Sequence, residues 1–296
     1  MMPTPYPLEE DLGMRYYASS TPGIGGRLRS SPDDFIVEEM PLPHREADGG
    51  PYLICRLRKT NWELQRAVRE IAKQLGISHR RIAWAGTKDK NAVTTQFISI
   101  YDLAPEAVGQ VHLRDISLEV VGRSHQPLAL GGLAGNRFEI TIRDCTTEDL
   151  AARVQEVTET AATGIPNYYG LQRFGVVRPI THIVGGEILK GDYEAAVVAY
   201  IGRTFPLETE AAQEARTHFA ETRDARAALA ALPVQMTYER AMANHLIANP
   251  GDYAGALRAL PPKLLSLLVS AFQSYLFNRA LSRRIDAGMT LTEPEA

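Results

Sequence analysis

The chain has 296 residues, 45% hydrophobic and 23% charged, which is enough to bury a sizeable core as one large domain or two smaller ones. Its two cysteines, Cys55 and Cys145, belong to no Cys-x-x-Cys pair or His-rich cluster, which argues against a zinc site or disulfide framework and for a reducing compartment. The net charge is −3, the proline-rich N-terminus lacks an apolar leader core, and no stretch approaches the ~18 apolar residues of a membrane span, so a soluble cytoplasmic protein without a membrane partner is expected.

In chain order, the first fifty residues carry nine acids and four arginines, and the first strand is expected at FIVEE from Phe35. Residues 51–90 reverse the balance, with ten Lys or Arg against three acids, a net +7 that fits either a polyanion partner or a helix with a cationic solvent side. A strand, YLICRLR, is expected from Tyr52. Thr60 and Glu63 then read as a capping box, followed by Leu64, Ala67, Val68, Ile71, Ala72 and Leu75 at helical spacing up to Gly76. Further strands are expected at 82–85, 96–101, 116–121 and 137–143, so the AGTKDKNAVTTQ segment at 85–96 connects two strands.

A helix is expected over 147–163, then a loop, IPNYYGLQRFG, at 165–175. Ala- and Glu-rich helical periodicity fills 186–249, and Pro261 and Pro262 open a long helix that Gly288 closes. No internal repeat or low-complexity segment interrupts this order.

Several chemistries lack their motif. AGTKDK is not a phosphate loop, GIGGRLRSS does not follow a strand and open a helix as a dinucleotide fingerprint does, and no GxSxG elbow is present. The seven histidines are scattered without metal spacing. What remains is a carboxylate between two lysines, Asp89, and a segment with Asn167, Tyr168, Tyr169, Gln172, Arg173 and Phe174. The first is compatible with a solvated turn and the second with an aromatic plug over the core. Arginines and aromatic rings together equally suit a nucleic acid, stacking its bases and holding its phosphates.

Five ordered segments, LRSSPDDFIVEE (28–39), AGTKDKNAVTTQ, LAGNRFEITIR (133–143), PNYYGLQRFG and AFQSYLFNRALSRRI (271–285), together resemble the TruD family of tRNA pseudouridine synthases over nearly the whole chain. The helical stretch at 186–249 is most similar to its longer, archaeal-type members. The resemblance implies an isomerase (an intramolecular transferase) that breaks the C1′–N1 bond of a tRNA uridine, expected to be uridine 13, and rejoins the base through C5 without cofactor, metal or nucleotide. It places the catalytic aspartate on Asp89, in GTKDK, as nucleophile or as proton acceptor. Neighbouring cations favour its charged form.

The resemblance also implies substrate-binding roles for Arg29, Phe35, Lys88, Asn167, Tyr169 and Arg173, with Phe35 and Tyr169 lining the base pocket and Asn167 bonding near Asp89. Arg80 and Arg81 are the expected RNA-binding pair. Where many members have Phe, Tyr169 adds a hydroxyl, and Arg29 replaces a Lys of some relatives. The implied fold is α+β, a mixed, largely antiparallel sheet with flanking helices and a helical insertion. Its expected parts are the N-terminal portion of the catalytic domain at 1–180, a helical subdomain at 181–260, and a long helix at 261–296. Relatives continue past this helix, so the catalytic domain is expected to be incomplete at LTEPEA. A non-catalytic RNA-binding or RNA-folding protein on the same scaffold is the alternative.

Overall fold

A computed structural model describes residues 1–42, 49–145 and 148–291. In chain order its strands are β1 (Met2–Pro3), β2 (Tyr16–Tyr17), β3 (Arg27–Leu28), β4 (Phe35–Pro41), β5 (Tyr52–Thr60), β6 (Ile82–Trp84), β7 (Val93–Tyr101), β8 (Ile116–Ser124), β9 (Leu133–Ile140) and β10 (Ile142–Arg143). Its helices are α1 (Pro7–Asp11), α2 (Leu64–Gln74), α3 (Leu150–Ala162), α4 (Leu171–Phe174), α5 (Thr181–Lys190), α6 (Tyr193–Gly202), α7 (Glu210–Thr222), α8 (Ala225–Ala231), α9 (Thr237–Ala248), α10 (Tyr253–Arg258) and α11 (Pro262–Asp286). Two compact units result, one of residues 23–153 and one joining 1–22 to 154–296. The boundaries expected near 180 and 260 both fall inside the second unit. Its opening segment belongs there because Leu12 and Met14 are buried with Phe174 and Ala271.

The first unit is built on a sheet ordered β8-β5-β7-β4-β9, as the expected mixed α+β architecture requires. Its ladders are antiparallel except β4–β7. β6 pairs with β7 beside β4, so one edge of β7 is shared by two strands: Val93–Thr95 face β4 and Ile98–Ile100 face β6. β7 consequently starts three residues earlier than its apolar pattern suggested. α2 covers one face of the sheet, burying Leu64, Val68 and Ile71 against Leu53, Leu57, Ile98 and Ile100. The expected capping box is not formed. Thr60 ends β5, and Glu63 itself caps α2, accepting from the N–H groups of Gln65 and Arg66 at 2.8 Å each.

The second unit is helical. Val184, Ala196, Ile201, Phe219, Met242, Leu257 and Leu268 share one core. A methyl group on Gly185 would lie 2.0 Å from the Leu268 carbonyl oxygen, so α5 and α11 pack at a distance only glycine permits. The loop expected at 165–175 holds the short helix α4. The expected helix start at Thr147 and the last five residues of the chain lie outside the described residues.

Candidate active site

Asp89 sits in the connection from β6 to β7, which leaves the sheet where β4 and β6 separate. Side chains fill that gap. The N–H of Phe97 donates to Glu39 Oε1 at 3.3 Å, and Gln96 Nε2 donates to the Gly86 carbonyl at 3.0 Å. Glu39 is on the inward phase of β4 with Phe35 and Val37, and Lys88 meets its other oxygen at 2.5 Å in a pair almost closed to solvent. A buried pair of this kind resists separation, because removing one partner leaves an unpaired buried charge.

The far end of the connection is held from β5. Lys59, fully buried on the inward phase with Leu53, Cys55 and Leu57, donates to the carbonyls of Trp62 at 2.8 Å and Asp89 at 2.9 Å. The N–H of Asn61 donates to Ala92 at 3.1 Å. The backbone of 85–92 is thus fixed at several points while the Asp89 carboxylate remains 44% exposed.

Facing that carboxylate is Arg29, Nη2 to Oδ1 3.4 Å. Arg29 also lies over the Phe35 ring, 3.8 Å from its centroid, and Phe138 meets Phe35 edge-on at 6.0 Å. The residue holds φ +57°, an uncommon conformation for a side chain of its size. The turn after it supplies a reason it can persist. Asp34 accepts from Ser31 N–H at 3.0 Å and from Arg143 at 2.6 to 2.9 Å, and the Arg143 guanidinium holds the Asp34 carboxyl below its ordinary range. That clamp fixes the segment between Arg29 and Phe35.

Of the expected site residues, Arg29, Phe35 and Asp89 come together in this unit. Lys88 is adjacent in sequence, but its ammonium faces Glu39. Arg80 is exposed, whereas Arg81 donates to the carbonyls of Tyr101 and Asp102, with Nε to Tyr101 at 2.8 Å. Asn167, Tyr169 and Arg173 belong to the helical unit. There Asn278 of α11, fully buried, accepts from Tyr169 N–H and donates to its carbonyl, 2.9 Å each, and also donates to the Leu12 carbonyl at 3.2 Å. The Tyr169 ring meets Phe277 edge-on at 5.5 Å, with the Arg173 guanidinium 5.7 Å from its centroid. Arg173 Nε donates to Ser274 at 3.0 Å. Asn167 is exposed.

Sequence reasoning missed Asp34, Glu39, Lys59 and Asn278. A signal existed for two of them, since Glu39 and Lys59 are charged residues at inward phases of alternating strands. Among the described residues, no group of three or more His, Cys, Asp or Glu side chains is placed to hold a metal, and no helix is long and apolar enough to cross a membrane.

The site can be set beside known proteins. A family model described as tRNA pseudouridine synthase D (TruD) matches residues 11–296. A protein named "Probable tRNA pseudouridine synthase D" from Methanococcoides burtonii is 44% identical over 288 residues, covering 96% of this chain and 65% of that protein. One of the same name from Halobacterium salinarum is 44% identical over 301 residues, covering 98% and 68%. A crystal structure from Methanosarcina mazei, described with the same family name, superposes with a TM-score of 0.88 at 41% identity, covering 99% of this chain and 68% of that one. The chain therefore spans roughly two thirds of the length of these relatives, 65% for the Methanococcoides burtonii protein.

Proposed function

We propose, from the premise that this chain belongs to the tRNA pseudouridine synthase D (TruD) family, that it converts a uridine of tRNA to pseudouridine with Asp89 as the reacting carboxylate. The target is uridine 13, and the reaction takes place in the cytoplasm, where its two free cysteines stay reduced. The isomerisation breaks C1′–N1 and forms C1′–C5, with one proton lost from C5 and one gained at N1. It balances without oxidant, reductant or cofactor.

The observation that carries this reading is a solvent-open carboxylate on a backbone tied down from both sides, facing a guanidinium stacked on an aromatic ring. An extruded uridine needs a ring or guanidinium plane to replace the stacking it has lost, and a carboxylate held at its sugar. Arg29 on Phe35 offers the plane and Asp89 the carboxylate. In the helical unit, Tyr169, Asn167 and Arg173 are proposed to contact tRNA, with Arg173 braced by Ser274. Lys88 supports through the loop it anchors.

The test compares the 296-residue chain with its Asp89→Asn variant on unmodified tRNA. Asn keeps the size and polarity of the loop residue but cannot attack as a carboxylate or accept a proton. Pseudouridine should form with the parent and fall by at least about 1,000-fold in the variant, while tRNA retention and melting stay the same. Retention of tRNA without turnover by the parent identifies a binder. Near-parent turnover by the variant removes Asp89 from the chemistry.

A further inference from the structure

The Asp89 loop contains two lysines of its own, yet its main chain is held by a third from another strand. Lys59 is wholly enclosed at the end of β5, and both of its hydrogen bonds go to main-chain carbonyls, Trp62 at the entry to α2 and Asp89 in the loop. We propose that Lys59 is a positioning residue for the reacting carboxylate: its ammonium bridges the Asp89 peptide to the start of α2, so that the direction of the Asp89 side chain is set by β5 and α2. This inference rests on the proposed function for its activity arm alone.

Three observations support it. An enclosed ammonium is costly to desolvate and persists where several acceptors compensate it. Burial lowers its pKa from 10.5 to about 8, opposed by the nearby charges of Asp89 and Glu63 and reinforced by Lys88. Second, the bridge is continuous with the Asn61–Ala92 hydrogen bond, so residues 59–62 grip the loop at both Asp89 and Ala92. Third, the opposite side of the loop is held separately by Lys88 on Glu39 and by Gln96 on Gly86. Loss of Lys59 therefore leaves the loop anchored on the Lys88 side and at Ala92, and frees the main chain at Asp89 between them. A misplacement of about 1 Å at a reacting group is enough to cost about 100-fold in rate.

The experiment uses the full chain and Lys59→Met, which keeps the length and apolar stem of the side chain but removes its donors. Amide hydrogen exchange is followed by mass spectrometry. Peptides covering 86–91 should exchange about ten-fold faster in the variant, while those in β5 and β7 keep their protection. On tRNA, kcat should fall between about 10- and 100-fold with KM unchanged. Unchanged exchange at 86–91 overturns the proposal. So does an increase shared equally by β5 and β7, which marks a general folding role, or a loss confined to KM. If the parent has no turnover, the proposed function fails and exchange alone decides the role of Lys59. Should Lys59→Met not fold, nitrogen-detected spectra of the parent decide. A slowly exchanging ammonium titrating near pH 8 supports the bridge, and a freely exchanging one refutes it.

Discussion

At Asp89 the two ends of one residue have opposite surroundings. Its carbonyl is bonded by a buried lysine, and its carboxylate faces water and Arg29. A rigid backbone under an accessible reactive group is how a site holds geometry without closing off its substrate. His182, at the start of α5, shows a different consequence of burial. Its ring lies against Phe174 at 5.3 Å and Tyr275 at 4.9 Å, and its Nδ1 is buried with no hydrogen-bond partner among the described residues. Burial, helped by the charge of Arg203, pulls its pKa from 6.5 down to about 4. The unfolded chain therefore binds the proton first as the solution is acidified. Stability from this group is intact above about pH 6.5, is lost as pH falls towards 4, and does not change further below that. His182→Phe keeps a ring in the cluster and cannot titrate. Between pH 7 and 4.5 the parent should lose about 2 kcal/mol more than this variant, read from urea midpoints at both pH values. Equal losses would show that His182 ionises as it does in solvent.

On the scale of elements, the split edge of β7 decides most of the site's geometry. One strand pairs with β4 over its first residues and with β6 over its last, and the connection that carries Asp89 emerges from the junction. At the far end of β7, two neighbouring arginines that looked equivalent as a basic pair have different surroundings. Arg81 is tied to the end of β7 through the Tyr101 carbonyl and to Asp102 just beyond it, so it fastens the turn before β6 to the sheet. Arg80, next to it, is exposed. Arg81→Gln should lower stability by about 1 kcal/mol and leave the salt dependence of tRNA binding nearly unchanged. Arg80→Gln should do the reverse, flattening the slope of log K against log salt by about 0.7 to 0.9 with no change in melting. Filter binding across a salt series and melting curves on the two variants separate these outcomes, and a shared slope change would show that Arg81 meets the RNA as well.

For the whole molecule, both units combine an apolar core with buried charge, in different arrangements. The sheet unit closes around apolar strands and α2. The helical unit adds a buried charge network to its apolar core. Arg216, 1% exposed, donates to Glu208 at 2.7 Å, to Glu239 at 2.9 Å and to the Ile201 carbonyl at 2.7 Å, and Arg178 joins both carboxylates at 3.2 and 2.9 Å. This ties α6, α7 and α9 to the segment before α5. Arg216→Met leaves two carboxylates with a single cation and should cost about 3 to 5 kcal/mol. Both tryptophans, Trp62 and Trp84, lie in the sheet unit, while the eight helices from α4 to α11 lie in the other. In urea, far-ultraviolet dichroism of the variant should therefore collapse early while tryptophan fluorescence keeps its parent midpoint. Fluorescence moving together with dichroism would show instead that the network supports the sheet unit as well.

The sequence by itself determined the elements and the chemistry available to them. Alternation in FIVEE and YLICRLR, the apolar stripe from Leu64 to Leu75, and prolines ahead of a long apolar-rich run each act within a few residues, so α2, α11 and most strands were legible. The ordered motifs also singled out Asp89 and its lysine-flanked loop. Only the tertiary structure decided which partners those residues meet. Glu63, and not Thr60, caps α2 because β5 runs on to Thr60. Lys88 looked like a partner for Asp89 by adjacency, but it turns inward to Glu39, and Arg29, sixty residues earlier in the chain, takes the place beside the carboxylate. The short N-terminal segment joins the helical unit through Leu12 and Asn278, a contact spanning 266 residues. Local pattern records the period of a strand or helix, but not which distant strand will share an edge with it. That choice is made by burial and hydrogen-bond completion over the whole fold, and it placed Lys59, Glu39 and Asp34 around the segments that carry Asp89 and Arg29.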